Sequence, residues 1–200
     1  ATQVELSKSG LFAHFRSKEQ LQLQVLGHAR ESFTAQVIRP ALSAPRGEKR
    51  LLRVGDTLQA LNDLGTASRA RAKDTVVIAV TGSVGKTGTK EALKIALTPS
   101  GLVHVSLKSH NNHWGMPLSL ANMRQDTNFG VFEAGMNHAG ELKALTQLIR
   151  PHIAIITTVA PVHLGFFRSV EAIADAKAEI LEGLVPDGAA ILNRDNPYFE

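Results

Sequence analysis

Cysteine is missing from all 200 residues, which excludes disulfides and thiolate metal sites and fits a cytoplasmic protein. No apolar run approaches the length of a membrane-spanning helix, because Lys, Arg, Asp or Glu interrupts each one. Residues 1–8 lack the basic-then-apolar order of a secretory leader. Internal repeats and low-complexity tracts are absent as well. The expectation is a soluble, monomeric cytoplasmic chain with no membrane partner, long enough for one full domain or two small ones.

Charge is present but unevenly spread. The net value of +4 divides into nine Lys/Arg against four Asp/Glu up to Arg53, and thirteen against fourteen beyond it. The high pI therefore belongs to the first quarter of the chain. A basic patch confined there is compatible with nucleic-acid contact or with a solvated basic surface.

The apolar pattern changes at the same place. Leu21, Leu23, Val25 and Leu26 begin a helical stripe that runs on through Phe33, Val37 and Ile38. Pro40 and then Ala44-Pro45-Arg46-Gly47 break it. A second helix is predicted from the N-cap Asp56 to about Ala70. After it, short and nearly continuous apolar runs recur at 75–80, 103–107, 129–132, 153–159 and 189–192, as in parallel strands buried on both faces. Helical stretches lie between them at about 87–97, 140–149 and 170–184. Alternating strand and helix predicts an α/β fold, a doubly wound, mostly parallel sheet, preceded by a short all-α segment.

Thr81-Gly82-Ser83-Val84-Gly85-Lys86-Thr87 follows the first of these strands and opens a helix. Backbone N–H groups at a helix N-terminus attract anions. Gly82 and Gly85 let the chain curl closely round phosphate oxygens, Lys86 adds a point charge, and the Thr87 hydroxyl suits Mg²⁺. The commoner, longer pattern would place Gly at position 80, which is Val80 here. Residues 81–88, through Gly88, are thus the candidate ATP-binding loop. Glu133 ends the run 129–132 at a strand's carboxyl end, where open α/β sheets bind ligands; it reads as a Mg²⁺ ligand or an ordinary surface glutamate. His163 follows the run 153–159 and by itself reads as a structural histidine. From spacing alone Lys177 is a solvated helix lysine. Asn111 and Asn112 lie in a polar stretch, His110 to Gly115, that looks like a binding loop. His110 and His113 stand at metal-pair spacing without a third ligand nearby.

Taken in order, the phosphate loop, Asn111-Asn112-His113-Trp114-Gly115-Met116-Pro117, Phe132-Glu133-Ala134-Gly135-Met136-Asn137, Ala160-Pro161-Val162-His163-Leu164 and Ala176-Lys177-Ala178-Glu179-Ile180 resemble the central domain of the Mur ligases. Among these they are most similar to the type that joins D-alanyl-D-alanine to UDP-N-acetylmuramoyl-tripeptide. The resemblance runs from about Val54 to the end. It implies an ATP-dependent ligase of peptidoglycan precursor synthesis, in which a substrate carboxylate becomes an acyl phosphate that an amine then attacks. It further implies Lys86, His163 and Lys177 in catalysis, a Mg²⁺ on Thr87 and Glu133, and a second metal near His163 and a carbamylated Lys177. Asn111 and Asn112 match the substrate-side loop. The UDP-sugar-binding and closing domains of such ligases are not recognisable, so ATP binding at most is expected of this chain.

Ser7 to Leu21 instead resembles the recognition helix of a TetR-type transcription regulator. That resemblance implies Ser7, Lys8, Ser9, His14 and Lys18 as DNA contacts. The expected organisation is a TetR-like helical fragment at 1–52, a linker helix at 53–74 and an incomplete central ATP-binding domain at 75–200. Such a chain would be a chimera joined around Leu51 to Gly55.

Overall fold

The computed structural model describes residues 56–106, 110–162 and 165–199. The TetR-like segment, with Ser7, Lys8, Ser9, His14 and Lys18, lies outside the described residues.

Helix α1 (Thr57–Arg71) begins where Asp56 accepts hydrogen bonds from the N–H groups of Leu58 and Gln59, an ordinary carboxylate N-cap. Then come β1 (Val76–Thr81), α2 (Lys86–Leu97), β2 (Val103–Val105), α3 (Gly115–Ala121), β3 (Phe129–Glu133), α4 (Glu141–Ile149), β4 (Ile153–Ile156), α5 (Val170–Ala178) and β5 (Ala189–Leu192). The five strands form one sheet in the order β2-β3-β1-β4-β5, every pair parallel. The chain therefore crosses from β1 to the edge strand β2, returns to β3 beside β1, and then passes to β4 and β5 on the other side. That makes the carboxyl end of β1 a topological switch point, where such sheets open a crevice.

Alternation along β1 divides the core. Val77 and Ala79 join Phe132, Ala154, Leu142, Ile149 and Ile173 on the face covered by α3, α4 and α5. Ile78 and Val80 turn the other way, with Val131, onto Leu93 and Leu97 of α2. A strand buried on both faces needs an unbroken apolar run, and β1 has one.

Helix α1 is tied into this unit by buried polar bonds. Ser68 Oγ donates to the Met123 carbonyl at 3.0 Å. The buried Arg69 guanidinium donates to the carbonyls of Ile149 and Arg150, each at 2.8 Å, closing the C-terminus of α4. A guanidinium there satisfies orphan carbonyls and suits the negative end of the helix dipole.

Three elements differ from expectation. The helix expected at 170–184 is α-helical only to Ala178 and continues as a 3₁₀ turn, Glu179–Gly183. Thr146 Oγ1 takes the Ile180 carbonyl at 2.7 Å, so that oxygen is engaged from outside the helix. The run 153–159 is strand only to Ile156, because the backbone beyond supports the phosphate loop. The polar stretch around Asn112 leads into helix α3 rather than an extended loop. There Asn112 Oδ1 accepts from the Trp114 and Gly115 N–H groups at 3.1 and 2.9 Å.

Candidate functional site

The strand register lines up Thr81, Glu133 and Ile156 at one edge of the sheet, since Val80 pairs with Glu133 and Thr81 with Ile156. The chain leaves β1 through Gly82, at φ +147°, and enters α2 through Gly85, at φ +86°. Both values favour glycine. A Cβ on Gly82 would overlap Thr157 Oγ1.

What distinguishes α2 is its uncovered start. Asp56 caps α1 and Ser169 caps α5 through its hydroxyl. Asn112 serves α3, and the Glu179 carboxylate accepts from Gly140 N and Lys143 N at the start of α4. The N-cap of α2 is Gly85, which has no side chain to offer. Four N–H groups begin every helix without an internal partner, and among the described α-helices only these lack a side-chain acceptor.

Polar side chains converge in front of that opening. Lys86 Nζ folds back onto the Gly82 carbonyl at 2.8 Å. Thr87 Oγ1 donates to Glu133 Oε2 at 2.8 Å, and Asn111 Nδ2 donates to Glu133 Oε1 at 2.9 Å. Glu133 is only 3% exposed, and its backbone N–H donates to Ser106 Oγ at 3.1 Å. Its two oxygens thus meet neutral donors, and it makes no ion pair among the described residues. A buried carboxylate without a counter-charge is costly. A carboxylate beside a hydroxyl and an anion-binding loop is a hard oxygen set that fits Mg²⁺ with phosphate oxygens and water as further ligands.

Lys177 corrects the reading from spacing. It is 3% exposed rather than solvated, because α5 turns it inward with Ile173 and Ala176. Burial lowers its pKa to about 8, and the positive charge of Lys86 adds to the effect. The amine therefore feels the charge of Lys86, and a minor fraction of it, far more than of a free lysine, is neutral near physiological pH. Thr81 Oγ1 is buried without a hydrogen-bond partner, a free donor at the root of the loop. Gly88 has open space around its Cα, and Val84 is exposed.

The structure thus gathers Thr81, Gly82, Gly85, Lys86, Thr87, Asn111, Glu133 and Lys177 around one opening. It gives two others different employment. Asn112 spends its carbonyl oxygen on the start of α3. Ser83 Oγ donates to the Ala160 carbonyl at 3.0 Å and accepts from Ala160 N–H at 2.9 Å, a reciprocal brace under the loop. His163 lies outside the described residues. No cluster of three or more His, Cys, Asp or Glu suited to a metal occurs among the described residues, so His110 and His113 gain no third ligand there.

Two residues that the sequence reading passed over also belong here. Thr157 reaches the underside of the loop, where Oγ1 donates to the Val84 carbonyl at 2.6 Å. Ser106 couples the buried Lys90, whose Nζ donates to the Ser106 carbonyl at 2.9 Å, to the backbone of Glu133. The Thr157-Thr158 pair just after a central strand was a usable signal for the first. Ser106 had none.

Residues 80–200 match the family described as the Mur ligase middle domain. The chain is 42% identical over 150 residues to the UDP-N-acetylmuramoyl-tripeptide–D-alanyl-D-alanine ligase of Rickettsia prowazekii, covering 75% of this chain and 33% of that one. The Bacillus subtilis ligase of the same name is 40% identical over 147 residues, covering 74% and 32%. Among solved structures, MurF from Acinetobacter baumannii superposes with a TM-score of 0.71 at 34% identity, covering 78% of this chain and 35% of that one. MurF ligase from Thermotoga maritima in complex with ADP gives 0.69 at 26% identity, covering 84% and 40%. The chain spans about a third of the length of the curated relatives it matches.

Proposed function

This chain belongs to the Mur ligase family through its middle domain, and from that premise we propose that it binds ATP with Mg²⁺ for an amide-forming ligase of peptidoglycan precursor synthesis. The observation that carries the reading is the uncapped N-terminus of α2, reached through a glycine loop and facing Lys86, Thr87 and Glu133.

In this reading the N–H groups from Gly85 to Gly88 face the β- and γ-phosphates, and Lys86 Nζ leaves the Gly82 carbonyl to join them. Mg²⁺, when bound, neutralises charge on the transferring phosphoryl group. Thr87 and Glu133 would hold it, with Asn111 fixing the far oxygen of the carboxylate. The γ-phosphoryl group passes to a substrate carboxylate with ADP leaving, and an amine then attacks the acyl carbon, forming the amide and expelling inorganic phosphate. The work of the protein is placement and charge neutralisation. Lys177, with His163 by family resemblance, is proposed at a second metal. Its partly neutral amine can take up CO₂ as a carbamate, which turns a repelling cation into an oxygen ligand.

The proposed substrates of the whole ligase are UDP-N-acetylmuramoyl-tripeptide and D-alanyl-D-alanine, after the relatives that bear those names. By the same resemblance we propose Asn111 and Asn112 for the substrate side, in a cytoplasmic setting. We further propose 75–200 as the ATP-binding domain, with helix α1 packed onto it as part of the same compact unit.

Calorimetric titration of ATP with Mg²⁺ and with EDTA tests the reading. Binding should strengthen with Mg²⁺, vanish in Lys86→Ala, and lose its Mg²⁺ dependence in Glu133→Gln. No heat at millimolar ATP would sink it.

A further inference from the structure

Thr157 lies one residue beyond β4, in none of the motifs that define the phosphate loop. Among the described residues, the hydrogen bonds of its N–H and hydroxyl are all with that loop. Its N–H donates to the Thr81 carbonyl at 3.0 Å. Its Oγ1 donates to the Val84 carbonyl at 2.6 Å and stands 3.3 Å from the Thr81 oxygen. The same oxygen occupies the space a Cβ on Gly82 would need.

A trans peptide is planar, and its C=O and N–H point in opposite directions. All peptide bonds in the described structure are trans. Holding the Val84 carbonyl toward Thr157 therefore turns the Gly85 N–H away from it, to the side where a phosphate would sit. Holding the Thr81 carbonyl through the Thr157 N–H does the same for the N–H of Gly82. Both glycines could turn these peptides over at little cost, so the orientation needs an external anchor. The neighbouring brace, from Ser83 N–H to the Thr158 carbonyl at 2.8 Å and from Ser83 Oγ to Ala160, fixes the peptide between them.

We infer that Thr157 is a positioning residue for phosphate binding: its hydroxyl presets the Val84–Gly85 peptide so that the Gly85 N–H faces the phosphates before nucleotide arrives. This rests on the nucleotide-binding reading above. Preorganised donors bind an anion without first spending free energy on turning toward it. A hydroxyl is essential and its methyl group is not. Valine keeps the shape but loses the donor, whereas serine keeps the donor.

The test compares wild type, Thr157→Val, Thr157→Ser and Lys86→Ala by titration with Mg²⁺-ATP and with inorganic tripolyphosphate. Thr157→Val should weaken both ligands by about tenfold and by the same factor, because only the phosphates are affected. Thr157→Ser should stay within about threefold of wild type. A Thr157→Val protein that binds both as wild type does overturns the inference, and so does a Thr157→Ser protein as weak as Thr157→Val. If the valine variant does not fold, Thr157→Ala takes its place with the same expectations. Wild type binding neither ligand would overturn the nucleotide reading instead. The anchor is then judged by amide exchange, which should quicken at Ser83 and Thr157 in the valine variant alone; unchanged exchange rejects it.

Discussion

Lys177 shows how much a single side chain reveals when its surroundings oppose its charge. The amine is buried near Lys86, and its pKa falls from 10.5 to about 8. Between those values the unfolded chain binds more protons than the folded one. The contribution of this group to stability is thus complete above about pH 10.5 and is lost as pH falls toward 8. Lys177→Met should accordingly raise the stability of the nucleotide-free protein at pH 7 by about 1–3 kcal/mol, since burying the charged form is what costs. Thermal unfolding of the two proteins reads this; a variant less stable than wild type would show that the amine has a stabilising partner. With ¹³C-labelled bicarbonate, wild type should also give a carbamate resonance that is absent from Lys177→Arg. The carbamate was implied by the resemblance, but the burial was not legible in the local spacing. Ala174 to Glu179 carries charges on either side of Lys177, and only the packing of α5 decides that the lysine turns inward.

Among the elements, α4 is held at both ends from a distance. The Glu179 carboxylate accepts from the Gly140 and Lys143 N–H groups at its start, and Arg69 holds the carbonyls at its end. Arg69→Met should destabilise the protein by about 2–4 kcal/mol, because it strands buried carbonyls as well as removing charged hydrogen bonds. Urea unfolding measures it, and a loss below about 0.5 kcal/mol would contradict the assignment. His152 sets a pH limit beside the same corner. The Val77 N–H donates to its Nδ1 at 2.9 Å, which requires that nitrogen to be unprotonated. Burial first, then Arg69 and Arg150, lowers its pKa below 6.5. The stability it supplies is therefore present above about pH 6.5 and lost as pH falls through the lowered value. A melting temperature that declines below pH 6.5 in wild type, and declines less in His152→Gln, is the expected result; identical slopes would exclude His152 as the cause. The cap Asp56 announced α1 within a residue or so. Helix α3 was hidden, because a segment opening on Gly115 with Pro117 inside it carries turn signals, and Asn112, whose oxygen accepts at its start, had been read as a binding residue.

At the scale of the molecule, the fold was legible because a parallel sheet demands uninterrupted apolar strands, and those runs stand out between helical stretches. Strand order was not legible. It depends on which crossovers pass to which side of β1, and nothing local encodes that choice. The glycine loop and Glu133 could be noticed because both stand at the carboxyl end of a strand. The brace from Thr157 and Ser83 could not, because it joins residues more than seventy positions apart that meet only when β1 and β4 pair. The sheet order then gives the candidate site its location, with β1 at the switch point, β3 supplying the Glu133 carboxylate and β4 the support beneath the loop.

The most direct measurement is a crystal structure of this chain with ADP and Mg²⁺. The account predicts the β-phosphate within hydrogen-bonding reach of the Gly85 and Lys86 N–H groups. Lys86 Nζ should have moved from the Gly82 carbonyl to the phosphate, and the ion should sit between Thr87 Oγ1 and Glu133. Nucleotide bound elsewhere, or bound here with the Lys86–Gly82 and Thr87–Glu133 hydrogen bonds both intact, would contradict it.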